Sequence, residues 1–334
     1  MTKKLNVGVV GLGRLGNLYA RYFLGQISKA NLVAVSDILD PVAETFAREH
    51  NVAKCYHDYH DLVNDKDVDA VVIVTPTSSH KDVAIAAAEA GKIVFCEKPL
   101  STSMDDSIAI KEAIERTGIF FHLGFMRRFD KGYAAAKRKI DDDVIGTPIV
   151  FKATSRDPFR PSLEFLDPAH SGGLLTDCGI HDMDLARWLV GEVASVYSTG
   201  GVLAYPEIEP LGDVDNAIAS LKFVSGALGV VDCSRSAIFG YDIRTEILGT
   251  KGTLQVGYLR ETPLYVLTKD GVTHDTVPYF MERFGQAYVD QLQNFVDRVL
   301  TDQPPAITCD DGIAALRISL AATKSLHEQR PIEV

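Results

Sequence analysis

Three short runs of this 334-residue chain hold residue types that could do chemistry. In Thr176-Asp177-Cys178-Gly179-Ile180-His181-Asp182-Met183-Asp184 an aspartate precedes a histidine by four positions. If a helix begins by Asp177, the side chains of Asp177, His181 and Asp184 share a face, so a carboxylate can orient the imidazole and stabilise its protonated form. The other ring nitrogen can then take a proton, as alcohol oxidation requires of a general base while hydride leaves carbon. Read singly, Asp177 is also a good helix N-cap and His181 a structural histidine. The run could ligate a metal, but no third nitrogen or sulfur ligand stands at recognisable spacing and no metal is expected. Cys178 has no activating neighbour in sequence and reads as a packing thiol.

The second run is Phe95-Cys96-Glu97-Lys98-Pro99, where an apolar strand ends in a proline-stiffened turn. Ligands of open α/β sheets bind beyond the carboxyl ends of the strands, so Glu97 and Lys98 stand where a cofactor and a substrate could be reached. Away from such a strand end, the same pair would read as a surface ion pair.

The third run explains why a cofactor is expected. Strand-like Leu5-Asn6-Val7-Gly8-Val9-Val10 leads into Gly11-Leu12-Gly13-Arg14-Leu15-Gly16 and an amphipathic helix. Gly11 permits a tight turn, Gly13 lets backbone amides approach a pyrophosphate, and Gly16 lets helix and strand pack closely. A second strand ends at Asp37, 21 residues after Gly16, near the spacing of a carboxylate that accepts from adenosine ribose hydroxyls. Asp37 would repel a 2'-phosphate, which favours NAD over NADP. The cofactor candidates are therefore Gly11, Leu12, Gly13, Arg14, Leu15 and Asp37, joined by Glu97, Lys98 and the polar loop with Thr75, Thr77 and His80.

These runs need a frame, and the pattern predicts one. Strands over 5–10, 31–36, 70–74, 93–96 and 119–123 alternate with helices over 14–24, 41–49, 80–90 and 104–117, as in a doubly wound parallel sheet. After Phe129-Asp130 the pattern changes to one helix (131–141), a strand near 149–153, an irregular stretch over 157–173 and a helix over 180–190. Strands near 194–204, 214–224, 227–236, 241–248, 253–257 and 264–268 are separated by short turns and predict an antiparallel sheet, closed by helices over 283–300 and 312–327. The expected division is an α/β NAD-binding domain over 1–124 and an α+β substrate-binding and oligomerisation domain over 125–334.

Composition narrows the partners. A net charge of −11, from 34 basic and 45 acidic residues, disfavours nucleic acid and anionic membrane. Five cysteines without a CxxC pair fit a reducing cytoplasm. Met1-Thr2-Lys3-Lys4 precedes too short an apolar run for a signal peptide, and no stretch approaches a membrane span.

Gly11-x-Gly13-x-x-Gly16, Glu97-Lys98-Pro99 and Asp177-x-x-x-His181 resemble, in order and over nearly the whole chain, the signature elements of the glucose-fructose oxidoreductase/inositol dehydrogenase (Gfo/Idh/MocA) family. Gly124-Phe125-Met126-Arg127-Arg128-Phe129-Asp130, Gly240-Tyr241-Asp242 and Arg283-Phe284-x-x-Ala287-Tyr288 look most like its inositol dehydrogenases. The resemblance implies a Rossmann domain, an α+β domain with an open antiparallel sheet whose face joins a homotetramer or homodimer, and a cis Lys98-Pro99 peptide. It also implies a cytoplasmic, NAD-dependent enzyme of inositol catabolism that oxidises a ring CHOH of myo- or scyllo-inositol to the inosose. Carried over, His181 is the general base, Asp177 its orienting partner and Lys98 a donor to the reacting oxygen. Arg127 and Asp157 bind other ring hydroxyls, with Asp184 and Tyr288 as further candidates. Ser155-Arg156-Asp157-Pro158 departs from the His-Arg-Asn-Pro common in myo-type enzymes, which leaves both isomers open. Oxidation of a pyranose sugar such as glucose or xylose, and a non-catalytic NAD-sensing role, are the alternatives.

Overall fold

The computed structural model describes residues 4–334 and divides into two compact units, the first gathering the chain up to Met126 with Tyr288–Ile313, the second Arg127–Ala287 with Ala314–Val334. Part of the Met1-Thr2-Lys3-Lys4 stretch read above lies outside the described residues.

Unit 1 alternates β1 (Leu5–Val10), α1 (Arg14–Gly25), β2 (Ala30–Ser36), α2 (Asp40–His50), β3 (Lys54–Tyr56), α3 (Tyr59–Asn64), β4 (Ala70–Ile73), α4 (His80–Glu89), β5 (Ile93–Glu97), α5 (Met104–Thr117) and β6 (Phe121–Gly124). Its six strands pair in parallel in the order β3-β2-β1-β4-β5-β6. The order reverses between β1 and β4, the switch point where such sheets bind ligands. Every residue of β4 is fully buried, as its unbroken apolar run requires of a strand covered on both faces. Where local signals are strong, boundaries agree closely with expectation: α5 spans 104–117, with Ser103 accepting from the Asp106 amide at its start and Gly118 left-handed at its end. The three-residue strand β3 and the short helix α3 were not anticipated, being too brief to show a period. The returning segment 288–313 joins this unit through Leu123 N donating to Ile307 O at 3.1 Å and through aromatic packing of Phe295 on Phe95 and His122.

Unit 2 contains α6 (Lys131–Asp141), β7 (Pro148–Arg156), α7 (Leu163–Leu166), α8 (Pro168–Ser171), α9 (Leu174–Asp177), α10 (Ile180–Leu189), β8 (Val193–Gly201), β9 (Asn216–Phe223), β10 (Leu228–Ser234), β11 (Asp242–Gly249), β12 (Thr253–Val256), β13 (Val266–Thr268) and β14 (Gly271–Thr273). It also holds the start of α11 (Phe280–Leu300), most of α12 (Cys309–Glu328), and β15 (Ile332–Glu333). Asp130 opens α6 by accepting from the Gly132 and Tyr133 amides. The larger sheet runs β12-β11-β7-β10-β9-β8-β15 and is mixed rather than wholly antiparallel, because β7 and β10 lie parallel. Their register sets Ser155 beside Cys233 and Arg156 beside Ser234, which makes neighbours of the next residues, Asp157 and Arg235. Burial along β9 alternates residue by residue, so one face is covered and the other open. Short helices occupy the stretch expected to be irregular, because Ser162 and Asp167 each cap a single turn. Among the described residues, no helix is long and apolar enough to cross a membrane.

Candidate active site

In unit 1 the glycines are required by contact as well as by conformation. Gly11 has φ +89°, and a Cβ there would sit 2.8 Å from Val74 O; a Cβ on Gly16 would sit 1.9 Å from Gly11 O. A Cβ on Gly13 would meet nothing within 4 Å, so the space beside that turn is open. Helix α1 starts at this point with no side-chain cap, leaving amides for an outside acceptor. Asp37, directly after β2, accepts from Leu12 N at 2.8 Å and Leu39 N at 2.9 Å, which holds its carboxylate against the glycine turn. A turn with open space at Gly13, a helix start without a side-chain cap and an adjacent carboxylate fit the pyrophosphate and ribose of a dinucleotide. Arg14 and Leu15 open α1.

The second loop of the switch point starts after β4. Thr75 and Thr77 lie in it, whereas His80 is 1% exposed and faces inward, its Nδ1 2.8 Å from Pro99 O and its Nε2 3.1 Å from Thr75 O, one of which takes the single N–H of the neutral ring. Burial lowers its pKa against the pull of those carbonyls. His80 thus ties this loop to the turn that carries Lys98. That turn is cis at Lys98-Pro99. Glu97 is 4% exposed; its Oε2 accepts from Lys98 N at 3.1 Å, and its Oε1 accepts from Gln291 Nε2 at 3.1 Å and from the Tyr19 hydroxyl. Burial raises the Glu97 pKa, opposed by those donors and by Lys98. Gly124 makes room for this carboxyl, since a Cβ there would lie 2.6 Å from Glu97 Oε1. Tyr288 belongs to the same unit, its ring 5.9 Å from that of Tyr19.

In unit 2 the run from Thr176 to Asp184 forms two helices in place of one. Asp177 ends α9, Cys178 and Gly179 stay in the right-handed helical region, and His181 lies in the first turn of α10 at 7% exposure. The other acids of the run are closed off: Asp182 accepts from Arg127 Nη1 at 2.8 Å, and Asp184 accepts from Arg128 Nε at 2.9 Å and Nη2 at 2.5 Å. Arg127, expected to bind polyol hydroxyls, is 2% exposed and also donates to Ser155 Oγ at 3.0 Å. Burial opposes its charge and the attraction of Asp182 overrides that, so its pKa lies above the ordinary guanidinium value. Ser155, one of the two residues, with Asp157, that depart from the His-Arg-Asn-Pro pattern, is thus a partner of this buried pair.

Asp157 and Asp177 differ from those acids in retaining 17% side-chain exposure each. Behind both stands Arg235, 1% exposed, with Nη2 3.0 Å from Asp177 Oδ2 and Nη1 3.7 Å from Asp157 Oδ2. The Cys178 thiol donates to Asp157 Oδ2 at 3.3 Å, and burial lifts its pKa far above the usual thiol value, which agrees with a packing role. Burial also raises Asp157, and Arg235 pulls it back. Sequence reasoning missed Arg235, which sits where a wholly antiparallel sheet would give it no reason to approach Asp157. It also missed the inward role of Asp182; an HDMD run with two arginines at 127 and 128 was the available signal. Among the described residues no group of His, Cys, Asp and Glu could hold a metal ion.

Residues 5–125 match the model of an oxidoreductase family's NAD-binding Rossmann fold, and residues 137–334 match that family's C-terminal alpha/beta domain. The chain belongs to the Gfo/Idh/MocA family. Within it, the chain is 42% identical over 335 residues to a scyllo-inositol 2-dehydrogenase (NAD(+)) of Bacillus subtilis, covering 100% of this chain and 97% of that one. It is 40% identical to a myo-inositol 2-dehydrogenase of Thermotoga maritima, covering 99% and 98%. A solved scyllo-inositol dehydrogenase of Lactobacillus casei, with bound NAD(H) and scyllo-inositol, superposes with TM-score 0.93 at 32% identity, covering 99% of each chain.

Proposed function

We propose that this member of the family is an NAD-dependent inositol 2-dehydrogenase that oxidises a ring CHOH of myo- or scyllo-inositol to the inosose. The observation that carries this reading is the end-to-end likeness to relatives named for that activity. NAD, when bound, accepts the hydride. His181 takes the hydroxyl proton, Asp177 orients its imidazole, and Lys98 donates to the oxygen on which negative charge develops. Asp157, with one side open, accepts from a further ring hydroxyl. Arg127 and Asp184, both shut into ion pairs, serve by holding Asp182 and Arg128 in place, and Tyr288, packed on Tyr19, keeps its assignment to the polyol. A buried acceptor left unpaired by the wrong epimer is the basis of stereochemical choice.

The test is a panel of inositol isomers and pyranoses with NAD, followed at the NADH absorbance band. Turnover of myo- or scyllo-inositol is expected; turnover of neither overturns the reading. The proposal extends to a cytoplasmic homotetramer or homodimer acting in inositol catabolism. Its support is the open sheet face, where Tyr197, Ile218, Leu228 and Leu248 are exposed, and the free thiols of all five cysteines. Sedimentation of a monomer at micromolar concentration would remove the oligomer.

A further inference from the structure

We propose that Arg235 is a positioning residue: a guanidinium held behind Asp157 and Asp177 that aims both carboxylates and keeps them ionised side by side. This rests on the reading of those two aspartates as the polyol-facing acids of unit 2. The sequence distances are large: Arg235 meets Asp177, at the end of α9, across 58 residues, and the parallel pairing of β7 with β10 sets it beside Asp157, which follows β7.

The geometry separates Arg235 from an ordinary surface partner. At 1% exposure it has almost no contact with water, so its charge must be balanced by neighbours. Its two terminal nitrogens diverge, one to each aspartate, while its backbone is fixed by Arg235 N donating to Asp215 O at 2.9 Å. The acids are fixed as well: Asp157 N donates to Ser234 O at 2.8 Å, and Asp177 N to Gly173 O at 2.8 Å. Other ionisable groups that bear on the cluster are His181 in the first turn of α10, which the proposed function pairs with Asp177, Asp213, before β9, whose carboxylate accepts from Leu174 N at 2.9 Å, Cys178 after α9, Cys233 in β10, Asp182 in α10, Tyr241 before β11, and Arg127. Arg127 is already paired with Asp182. Arg235 is a cation within ion-pair distance of both carboxylates. Without it, two partly buried acids and Asp213 share one region, and each disfavours ionisation of the next.

The experiment compares the full-length wild type with R235M and R235K in two readouts. The first, substrate-free, is urea unfolding from pH 5 to pH 8. In R235M the carboxyl groups hold their protons to higher pH in the folded state than in the unfolded one, so stability falls as pH rises. The stability gap between wild type and R235M is expected to widen across the range; a gap that stays constant overturns the proposal.

The second readout is the pH profile of kcat/KM with NAD and inositol. R235M is expected to move the acidic limb up by about 1–3 pH units, the displacement a neighbouring cation produces, with NAD affinity unchanged. R235K keeps the charge and loses the fork, so its limb stays near that of wild type while kcat/KM falls about tenfold or more. An R235M profile lowered evenly at all pH values, or an R235K equal to wild type, overturns the positioning role. If R235M does not fold, R235K decides. If the wild type oxidises no inositol, the proposed function fails, and the unfolding series still judges Arg235 alone.

Discussion

The two candidate regions are built from opposite materials. In unit 1 the dinucleotide turn is made by what is missing: Gly11 and Gly16 stand where a Cβ would collide with backbone, Gly13 leaves open space, and one carboxylate, Asp37, closes the turn. In unit 2 the site is framed by charges removed from water, with Arg127 on Asp182, Arg128 on Asp184 and Arg235 on Asp177. A site of the first kind is specified locally, by spacing. One of the second kind is specified by pairs that meet only after folding, and each such pair is neutral or costly until both members are present.

That contrast can be broken by substitution. The largest expected effect is on chemistry: Lys98→Ala should lower kcat by about 10²–10⁴-fold, the usual worth of a proton-handling group, while NAD affinity measured by fluorescence titration changes far less, because the glycine turn and Asp37 hold most of the dinucleotide. An unchanged rate would take Lys98 out of the reaction. In the unit 2 frame, R127M strands the buried Asp182 carboxylate and should cost about 3–5 kcal/mol in urea unfolding, most of it recovered by adding D182L. If the single variant is as stable as wild type, the buried pair contributes nothing.

Smaller effects belong to the dinucleotide turn. Gly16→Ala forces a Cβ toward Gly11 O and should weaken NAD binding about tenfold, as crowding of 1–3 kcal/mol implies. Asp37→Ser with Ile38→Arg should raise the NADP to NAD preference about fivefold, because a repulsive carboxylate gives way to a cation. Strict NAD use in that variant would show that Asp37 does not face the ribose.

The smallest effect is a pH slope. Burial raises Glu97, so the folded chain keeps that proton above about pH 4.3, where the unfolded chain releases it. This contribution is complete below that pH and is lost as pH rises through the folded value. The stability of the wild type relative to E97Q should therefore decline from pH 4.5 upward; a flat difference would mean that Glu97 is ionised throughout.

In unit 1 the long strands and helices up to residue 124 are legible because their signals are local, whereas β3, α3 and the return of residues 288–313 are not. The glycine spacing, the position of Asp37 after β2 and the capped ends of α5 each need fewer than about 30 residues of context. His80 was read as part of the cofactor loop, yet it faces Pro99 O and Thr75 O, since a single polar residue in a loop does not announce which way it turns. In unit 2 the longer strands are legible, but not the short β14 and β15 nor the pairing. Turn-linked strands suggested neighbours in sequence order, whereas β10 lies between β7 and β9 and is parallel to the former. Arg235 was hidden by that one pairing. Arg127 and Asp184 are expected from the resemblance to bind substrate, and the fold pairs them with Asp182 and Arg128, partners that spacing cannot reveal because they lie 55 and 56 residues away.

Unit 1 is assembled from two separate stretches of chain, and Gln291, from the later one, reaches both Tyr19 and Glu97 of the earlier. Recombination between relatives is constrained accordingly. A single crossover near residue 126 would inherit Tyr19 and Glu97 from one parent and Gln291 from the other, so a chimera that keeps this knot of hydrogen bonds must take two splices of ancestry together.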